Sequence, residues 1–298
     1  MKLSKSRIVT IVGPTAGGKS ALAVQLARRF NGEIISADSR QVYKGMDLGT
    51  GKITKREMRS VPHHLLDVAS PKRQYSVRRF QTQAQKAIRT IISHGKIPFI
   101  VGGTGFWLDV LIQGQQLPDV PPNLILRKQL ARLTTSQLFA KLKTADPRRA
   151  KTIDSKNRRR LERALEIIIA QGTVSVISAK SQYNALWLGI RLTKDELQER
   201  IARRLAVRLR HGMIAEVRHL HAQGISWRRL DSFGLEYRYI ARYLQGVITH
   251  QQMREQLLVA ICQYAKRQMT WFKRNAQIHW IQNETQTVGL VSHFVNAQ

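Results

Sequence analysis

Residues 13–20 read Gly13-Pro14-Thr15-Ala16-Gly17-Gly18-Lys19-Ser20, the full G-x-x-x-x-G-K-[ST] spacing of a phosphate cradle. The glycines let the backbone curl so that successive N–H groups point at phosphate oxygens. A helix start adds its partial positive charge. Lys19 adds a full charge, and the Ser20 hydroxyl is of the type that ligates Mg²⁺. The whole loop, with Thr15, Ala16 and Gly17 at its tip, is therefore a candidate diphosphate or nucleotide site. Asp38 is the next candidate. It ends the short apolar run Glu33-Ile34-Ile35-Ser36 and precedes Ser39, Arg40 and Gln41, all rich in hydrogen-bonding groups. It can act as a general base, a metal ligand or a helix N-cap, and local sequence does not separate these. Thr104 sits between glycines in Gly102-Gly103-Thr104-Gly105, where close ligand approach is possible and its hydroxyl can meet a phosphate; a plain strand-to-helix turn is the alternative. Pro62-His63-His64 has no third ligand at metal spacing, which favours a structural role.

The elements that must position these groups follow from the pattern. Ile8–Val12 reads as a strand before the phosphate loop, and Ala21–Ala27 as a helix after it. Residues 76–94 read as a helix, and 96–101 as a buried strand closed by the Gly-Gly-Thr-Gly turn. Alternation of this kind predicts a parallel α/β sheet with ligands outside the carboxyl ends of its strands. The strand Phe99-Ile100-Val101 does not end in Asp, the residue that organises Mg²⁺ and water in hydrolytic phosphate-loop enzymes, which shifts weight towards group transfer. Prolines at 118, 121 and 122 mark a break, and residues 124–170 read as helical and strongly basic. A return strand follows at 185–192. A long helix then starts at Thr193 with a capping box to Glu196 and a stripe of Leu197, Ile201, Leu205 and Leu209. Further helices are expected near 231–245 and 250–275, with the last residues as a loose tail. The expected organisation is a core over 1–113, an inserted helical domain over 114–184, core completion over 185–285 and a tail over 286–298.

Composition narrows the partner. The chain of 298 residues carries 50 Lys and Arg against 19 Asp and Glu, a formal charge of +31, far beyond what solubility requires. A polyanion is the natural counterpart, because each cation placed near a phosphate backbone releases a counterion. The densest run is Arg158-Arg159-Arg160-Leu161-Glu162-Arg163. Lys266–Arg274 mixes cations with Trp271 and Phe272, which suits stacking on bases or ordinary packing. No apolar run is long enough to span a bilayer. The single cysteine, Cys262, excludes an internal disulfide and a cysteine-based zinc site, and with no signal-peptide pattern it points to a cytoplasmic protein. A plastid or mitochondrial home is expected only if a transit peptide is missing.

Taken in order, these stretches resemble the tRNA dimethylallyltransferases, which prenylate adenosine 37 beside the anticodon. The resemblance rests on the phosphate loop, DSRQVYKGMDLGTGK over 38–52, VPHHLLD over 61–67, Tyr75-Ser76-Val77, GKIPFIVGGTG over 95–105, RRLERALE over 159–166 and KRQMTW over 266–271. SFGLEYR over 232–238 departs as a variant of a shorter Gly-Tyr motif. The resemblance implies a phosphate-loop NTPase-like core with an inserted helical domain and C-terminal helices. It implies that the loop (Gly13, Pro14, Thr15, Ala16, Gly17, Gly18, Lys19, Ser20) holds dimethylallyl diphosphate with Mg²⁺, that Asp38 is the base on adenine N6, and that Thr104 works beside Lys19 at the diphosphate. It further implies that Asp38, Ser39, Arg40, Gln41, Thr104, Arg127, Arg159, Arg160, Leu161, Glu162 and Arg163 contact the anticodon stem-loop of tRNA, and that the enzyme is a monomer with no membrane partner. The rival readings are a small-molecule or nucleotide kinase, an RNA-binding module driven by nucleotide, and a prenyltransferase acting on free adenine nucleotides.

Overall fold

The computed structural model describes residues 5–172 and 181–297. The start of the basic N-terminal segment, residues 173–180 of the expected insertion and Gln298 lie outside the described residues. Six strands, β1 (Ser6–Val12), β2 (Gly32–Ser36), β3 (His63–His64), β4 (Ile97–Val101), β5 (Tyr183–Ile190) and β6 (Ile278–Ile281), form one parallel sheet in the order β3-β2-β4-β1-β5-β6. β1 lies at its centre, with Val9 opposite Phe99 on one side and Leu186 on the other.

The strands read as unbroken apolar runs because both faces are covered. Ile8, Val12, Ile35 and Ile100 enter one apolar cluster, whereas Val9, Ile11, Ile34 and Phe99 enter another. Helix Lys19–Arg29 buries Ala23, Val24, Leu26 and Ala27, in the second cluster. Helix Val77–Ser93, capped by Ser76, buries Phe80, Ala84, Ala87, Ile88 and Ile91, in the first. Helix Lys194–Arg210 starts on the expected capping box of Thr193 and Glu196, and buries Ile201 and Leu205.

The chain divides into two compact units, Met1–Gly114 with Ser181–Gln298, and Gln115–Lys180. Among its described residues the second unit has four helices, Leu124–Ala131, Thr135–Ala145, Pro147–Thr152 and Arg158–Gln171. Each starts on a side chain that caps it: Asn123, Thr134, Asp146 and Asn157. Leu130, Leu138, Leu142, Leu161 and Leu165 form its core.

Two expectations are corrected. The C-terminal residues are not a loose tail: Glu284–Asn296 is a helix capped by Asn283, and its Val291 is fully buried. Val288, Val291 and Val295 pack it onto the sheet's second cluster. The single helix expected near 231–245 is two, Trp227–Phe233 and Leu235–Leu244, broken at Gly234, whose φ of 77° no helix accommodates. Strand β6 and helix Met213–Ala222 were not foreseen.

Candidate active site

The phosphate loop follows β1 directly. Gly13 has φ 146°, and a Cβ there would stand 2.9 Å from the Ile190 carbonyl oxygen of β5, so the loop is pressed against the next strand. Gly18, with φ 93°, turns the chain into helix Lys19–Arg29. No acidic residue stands in that helix's first turn. The Lys19 ammonium donates to the Gly13 carbonyl at 3.0 Å and the Pro14 carbonyl at 2.6 Å, curling over the loop. Burial first, then the neighbouring Arg204, push its pKa down to about 8, with Asp38 opposing.

Two other loops meet this one at the carboxyl edge of the sheet. Asp38 follows β2. The N-cap reading is replaced by a tighter one: Asp38 Oδ1 accepts from the Arg40 N–H at 2.8 Å and the Gln41 N–H at 3.4 Å, closing a turn and not a helix start. Its Oδ2 makes no hydrogen bond among the described residues. Gln41 braces the turn, accepting from Ser36 Oγ and donating to the Gly51 carbonyl. Arg40 is half-buried, with its guanidinium 5.9 Å from the Phe233 ring. Thr104 stands at the start of helix Gly105–Ile112 yet does not cap it; its Oγ1 accepts from the Ser39 N–H at 3.2 Å. Gly102 approaches so closely that a Cβ there would stand 2.2 Å from the Ala37 carbonyl oxygen. The Asp38 and Thr104 loops are thus one rigid piece.

Three side chains that sequence reasoning missed also stand here, and one of them, Gln268, ties this piece to the phosphate loop. Gln268, 6% exposed, accepts from the Thr15 N–H at 2.7 Å and donates to the Gly103 carbonyl at 3.0 Å. Arg204 donates to Thr15 Oγ1; burial and then Arg208 push its pKa down to about 10, against Glu236 and Asp38. Arg208 lies one helical turn further on. Together with Lys19, Ser20 and Asp38 they line an open cavity of about 1110 Å³. Lys19, Lys52, Arg59, Arg204 and Arg208 line it against Asp38, Asp47 and Glu57, an excess of cations that suits an anion.

The other predicted residues divide. Glu166, 1% exposed, accepts from Arg127 Nε at 2.7 Å, Arg127 Nη2 at 2.9 Å, Arg163 Nη1 at 2.9 Å and the Asn123 N–H at 2.9 Å. Arg158 donates to the Leu130 and Leu133 carbonyls and pairs with Glu162 at 2.8 Å. Arg127, Arg158, Glu162 and Arg163 therefore hold the helical unit together. Leu161 is 0% exposed, which removes its side chain from any RNA surface. Arg159 and Arg160 are exposed and make no ion pair among the described residues. In the KRQMTW stretch, Phe272 is buried and the Trp271 indole donates to Asp109 Oδ2 at 3.0 Å, packed against Gly105. Packing replaces the stacking platform, while Lys266, Arg267, Lys273 and Arg274 stay exposed. His64 pairs with Glu33 at 2.7 Å, beside Lys96. No group of three or more His, Cys, Asp or Glu among the described residues could hold a metal, and no helix among them is long and apolar enough to cross a membrane.

Comparison with known proteins places this site in a family. The IPP transferase pattern matches residues 41–275, and an isopentenyl transferase pattern matches residues 6–73. The chain is 42% identical over 282 residues to tRNA dimethylallyltransferase 2 of Citrifermentans bemidjiense, covering 93% of this chain and 91% of that one. It resembles the crystal structure of the full-length tRNA isopentenylpyrophosphate transferase of Bacillus halodurans, with TM-score 0.74, 37% identity and coverage of 98% and 96%. A eukaryotic dimethylallyltransferase acting on tRNA shares the fold at TM-score 0.84 and 24% identity, covering 98% of this chain and 80% of that one.

Proposed function

The chain belongs to the tRNA dimethylallyltransferase family, and from that premise we propose that it moves a dimethylallyl group from dimethylallyl diphosphate to N6 of adenosine 37 in tRNA. The observation that carries this reading is the joining of three loops, bearing Lys19, Asp38 and Thr104, around one cation-lined cavity.

The adenine N6 lone pair is delocalised into the ring, so the amine is a weak nucleophile. The electrophile must come close to a cation, and a dimethylallyl carbon does so when its C–O bond to diphosphate breaks, because the allyl group spreads the charge. Charge then builds on the leaving diphosphate. Lys19, Arg204 and the N–H groups of the loop face that charge, and their stabilisation grows as the bond breaks. Thr104, fixed by Ser39, orients the leaving group. Asp38 accepts the N6 proton through Oδ2 as the C–N bond forms; its Oδ1 is held by the turn, so the carboxylate need not reorganise. Adenine stacked in the anticodon loop cannot reach this pocket, so the base is extruded into it.

The donor set fits magnesium bound chiefly through substrate phosphates. Ser20 offers a hydroxyl in the first turn of its helix, and the cavity lacks the carboxylate cage that would seize the ion without substrate. Ser20 would hold the ion, which would neutralise diphosphate charge. In this reading Arg159 and Arg160 meet the anticodon stem, and Ser39, Arg40 and Gln41 the nucleotides beside adenosine 37. In this reading the enzyme acts as a monomer.

The test is mass spectrometry of tRNA nucleosides after incubation with dimethylallyl diphosphate and Mg²⁺, with a single-turnover series. Wild type yields N6-dimethylallyladenosine. Asp38→Asn lowers the single-turnover rate by about 10²- to 10⁴-fold with tRNA affinity nearly unchanged. A rate within about threefold of wild type would remove Asp38 as the base. Transfer of phosphate from ATP in place of the prenyl group would mark a kinase.

A further inference from the structure

Glu236 of the SFGLEYR stretch and Arg208 of helix Lys194–Arg210 have no part in the reaction as described so far, yet they pair beside its cavity. Arg204 and Arg208 stand four residues apart, on one face of the helix, and both line the cavity with Lys19 and Asp38. Arg208 fills the concave side of the Asp47–Lys52 turn. A Cβ on Gly51 would stand 1.5 Å from its Nη2, so the guanidinium occupies the space beside that glycine. The turn itself is held rigid from below: Glu216 accepts the N–H groups of Asp47, Leu48 and Gly49 at 2.7–3.0 Å, and the Tyr237 hydroxyl at 2.7 Å.

Arg208 is mostly buried, with its side chain 13% exposed, and its one ion-pair partner among the described residues is Glu236. Their separation is 3.7 Å, an ion pair but longer than a hydrogen bond. No hydrogen bond of the Arg208 guanidinium is made among the described residues. Its N–H groups are nevertheless not sealed from the cavity, since none of its nitrogens is a buried atom without a partner. The guanidinium is held by charge at a fixed place with donors to spare. Burial drives the Glu236 pKa up, opposed by Arg208 first, then by its own backbone hydrogen bond and by Arg204.

We propose that Arg208 is a second arginine of the diphosphate site, placed one turn beyond Arg204, and that Glu236 is the residue that positions it. The proposal rests on the reading of the cavity as the dimethylallyl diphosphate site. Lys19, Arg204 and the loop N–H groups serve the phosphoryl group at the loop, and Arg208 serves the one beyond it. Glu236 touches no substrate; it acts through Arg208, keeping the side chain from swinging out of the cavity.

The experiment compares wild type with Arg208→Met, Arg208→Gln, Glu236→Gln and the double variant Arg208→Gln/Glu236→Gln. At saturating tRNA it measures the KM for dimethylallyl diphosphate, kcat, and competitive inhibition by inorganic diphosphate; tRNA affinity is measured separately. Both Arg208 variants raise the KM and the diphosphate inhibition constant by about ten- to hundredfold, the worth of a charge-assisted hydrogen bond, and leave tRNA affinity within about twofold. Glu236→Gln raises both by about three- to tenfold, mainly in KM. The double variant is no worse than Arg208→Gln alone, because Glu236 acts through Arg208. An inhibition constant within about twofold of wild type in either folded Arg208 variant overturns the proposal. So does a loss of tRNA affinity in its place, or additivity in the double variant. If wild type prenylates tRNA and Arg208 proves inert, only this assignment fails; if wild type makes no prenylated nucleoside, the reading beneath it fails first.

Discussion

Gln268→Ala tests whether the site is one piece. The side chain makes two hydrogen bonds to backbone groups far away in sequence, the Thr15 N–H at 2.7 Å and the Gly103 carbonyl at 3.0 Å. Removing it forfeits about 1 kcal/mol of net hydrogen bonding at each. It also leaves both groups unpaired, which costs about 1–3 kcal/mol for each group that water cannot reach. Thr15 lines the open cavity, so water will satisfy its N–H, whereas Gly103 is buried. The sum is about 3–5 kcal/mol of stability, a large share of the margin of an ordinary domain. The consequence for chemistry is greater than the fold alone suggests. With the tie gone, the phosphate loop and the loop carrying Thr104 can drift apart, and a misplacement of about 1 Å costs about 10²-fold in rate. Urea unfolding gives the first quantity and single-turnover prenyl transfer the second. Gln268→Glu keeps the acceptor for Thr15 but turns the donor into an oxygen facing Gly103, so it should lose much of the rate while losing less packing. If Gln268→Ala unfolds within about 0.5 kcal/mol of wild type, or turns over within about threefold of it, the two loops do not need their tie and the reasoning is wrong.

Three more outcomes follow from particular groups. Lys19→Ala raises the barrier to transfer by several kcal/mol, about 10²-fold or more in kcat, because its charge faces the leaving diphosphate; weaker affinity with full turnover at saturation would refute this. Replacing Arg159 and Arg160 together by alanine weakens binding to every tRNA and flattens log affinity against log salt by about 0.7–0.9 for each phosphate no longer neutralised; an unchanged slope makes the pair a solvated face. Burial works to raise the pKa of Glu33, but the hydrogen bonds from Lys96 and His64 outweigh it and hold the carboxyl below its usual range. Its stabilisation is therefore present above the ordinary carboxylate range and is lost as pH falls through the lowered value. Glu33→Gln should be the less stable protein at pH 7, the gap closing in acid; a gap that does not change with pH contradicts the assignment.

What the sequence revealed about the site is what the backbone encodes locally. A phosphate loop needs glycines at left-handed positions between a strand and a helix, and that need is written in eight consecutive residues. Asp38 and Thr104 were legible for the same reason, since each ends a strand at the sheet's carboxyl edge. Gln268, Arg204 and Arg208 were not. Their helices read simply as amphipathic, and which polar residue turns inward depends on loops about 160 to 250 positions earlier. Gln268 stood in a stretch dominated by cations and aromatics, where a single amide carries no local signal. The basic run shows the converse failure. Composition made every arginine a candidate for RNA, but Glu166, on the same helix, claims Arg163 and reaches back to Arg127. Only tertiary structure separates those from Arg159 and Arg160. The C-terminal helix was missed although Val288, Val291 and Val295 recur at helical spacing, because a polar Gln-Thr-rich start hides the capping Asn283.

The excess of positive charge thus does two physically different jobs. On the surface, Arg159, Arg160, Lys266 and Arg267 are solvated, repel one another weakly through salt, and lose little by standing free. In the cavity, Lys19 and Arg204 are each pushed down by burial and by the next cation along, Arg204 on Lys19 and Arg208 on Arg204. That arrangement is unfavourable as it stands, and Asp38 and Glu236 only partly offset it. In the proposed reading a multiply charged diphosphate offsets the remainder, so that the repulsion among the cations becomes affinity for the anion. The affinity is greatest when the anion's charge is greatest, as the allylic bond breaks. A cavity neutralised in advance by more carboxylates would cost the fold less and would lose this advantage. In the same reading, the absence of an acidic residue from the first turn of helix Lys19–Arg29 serves catalysis.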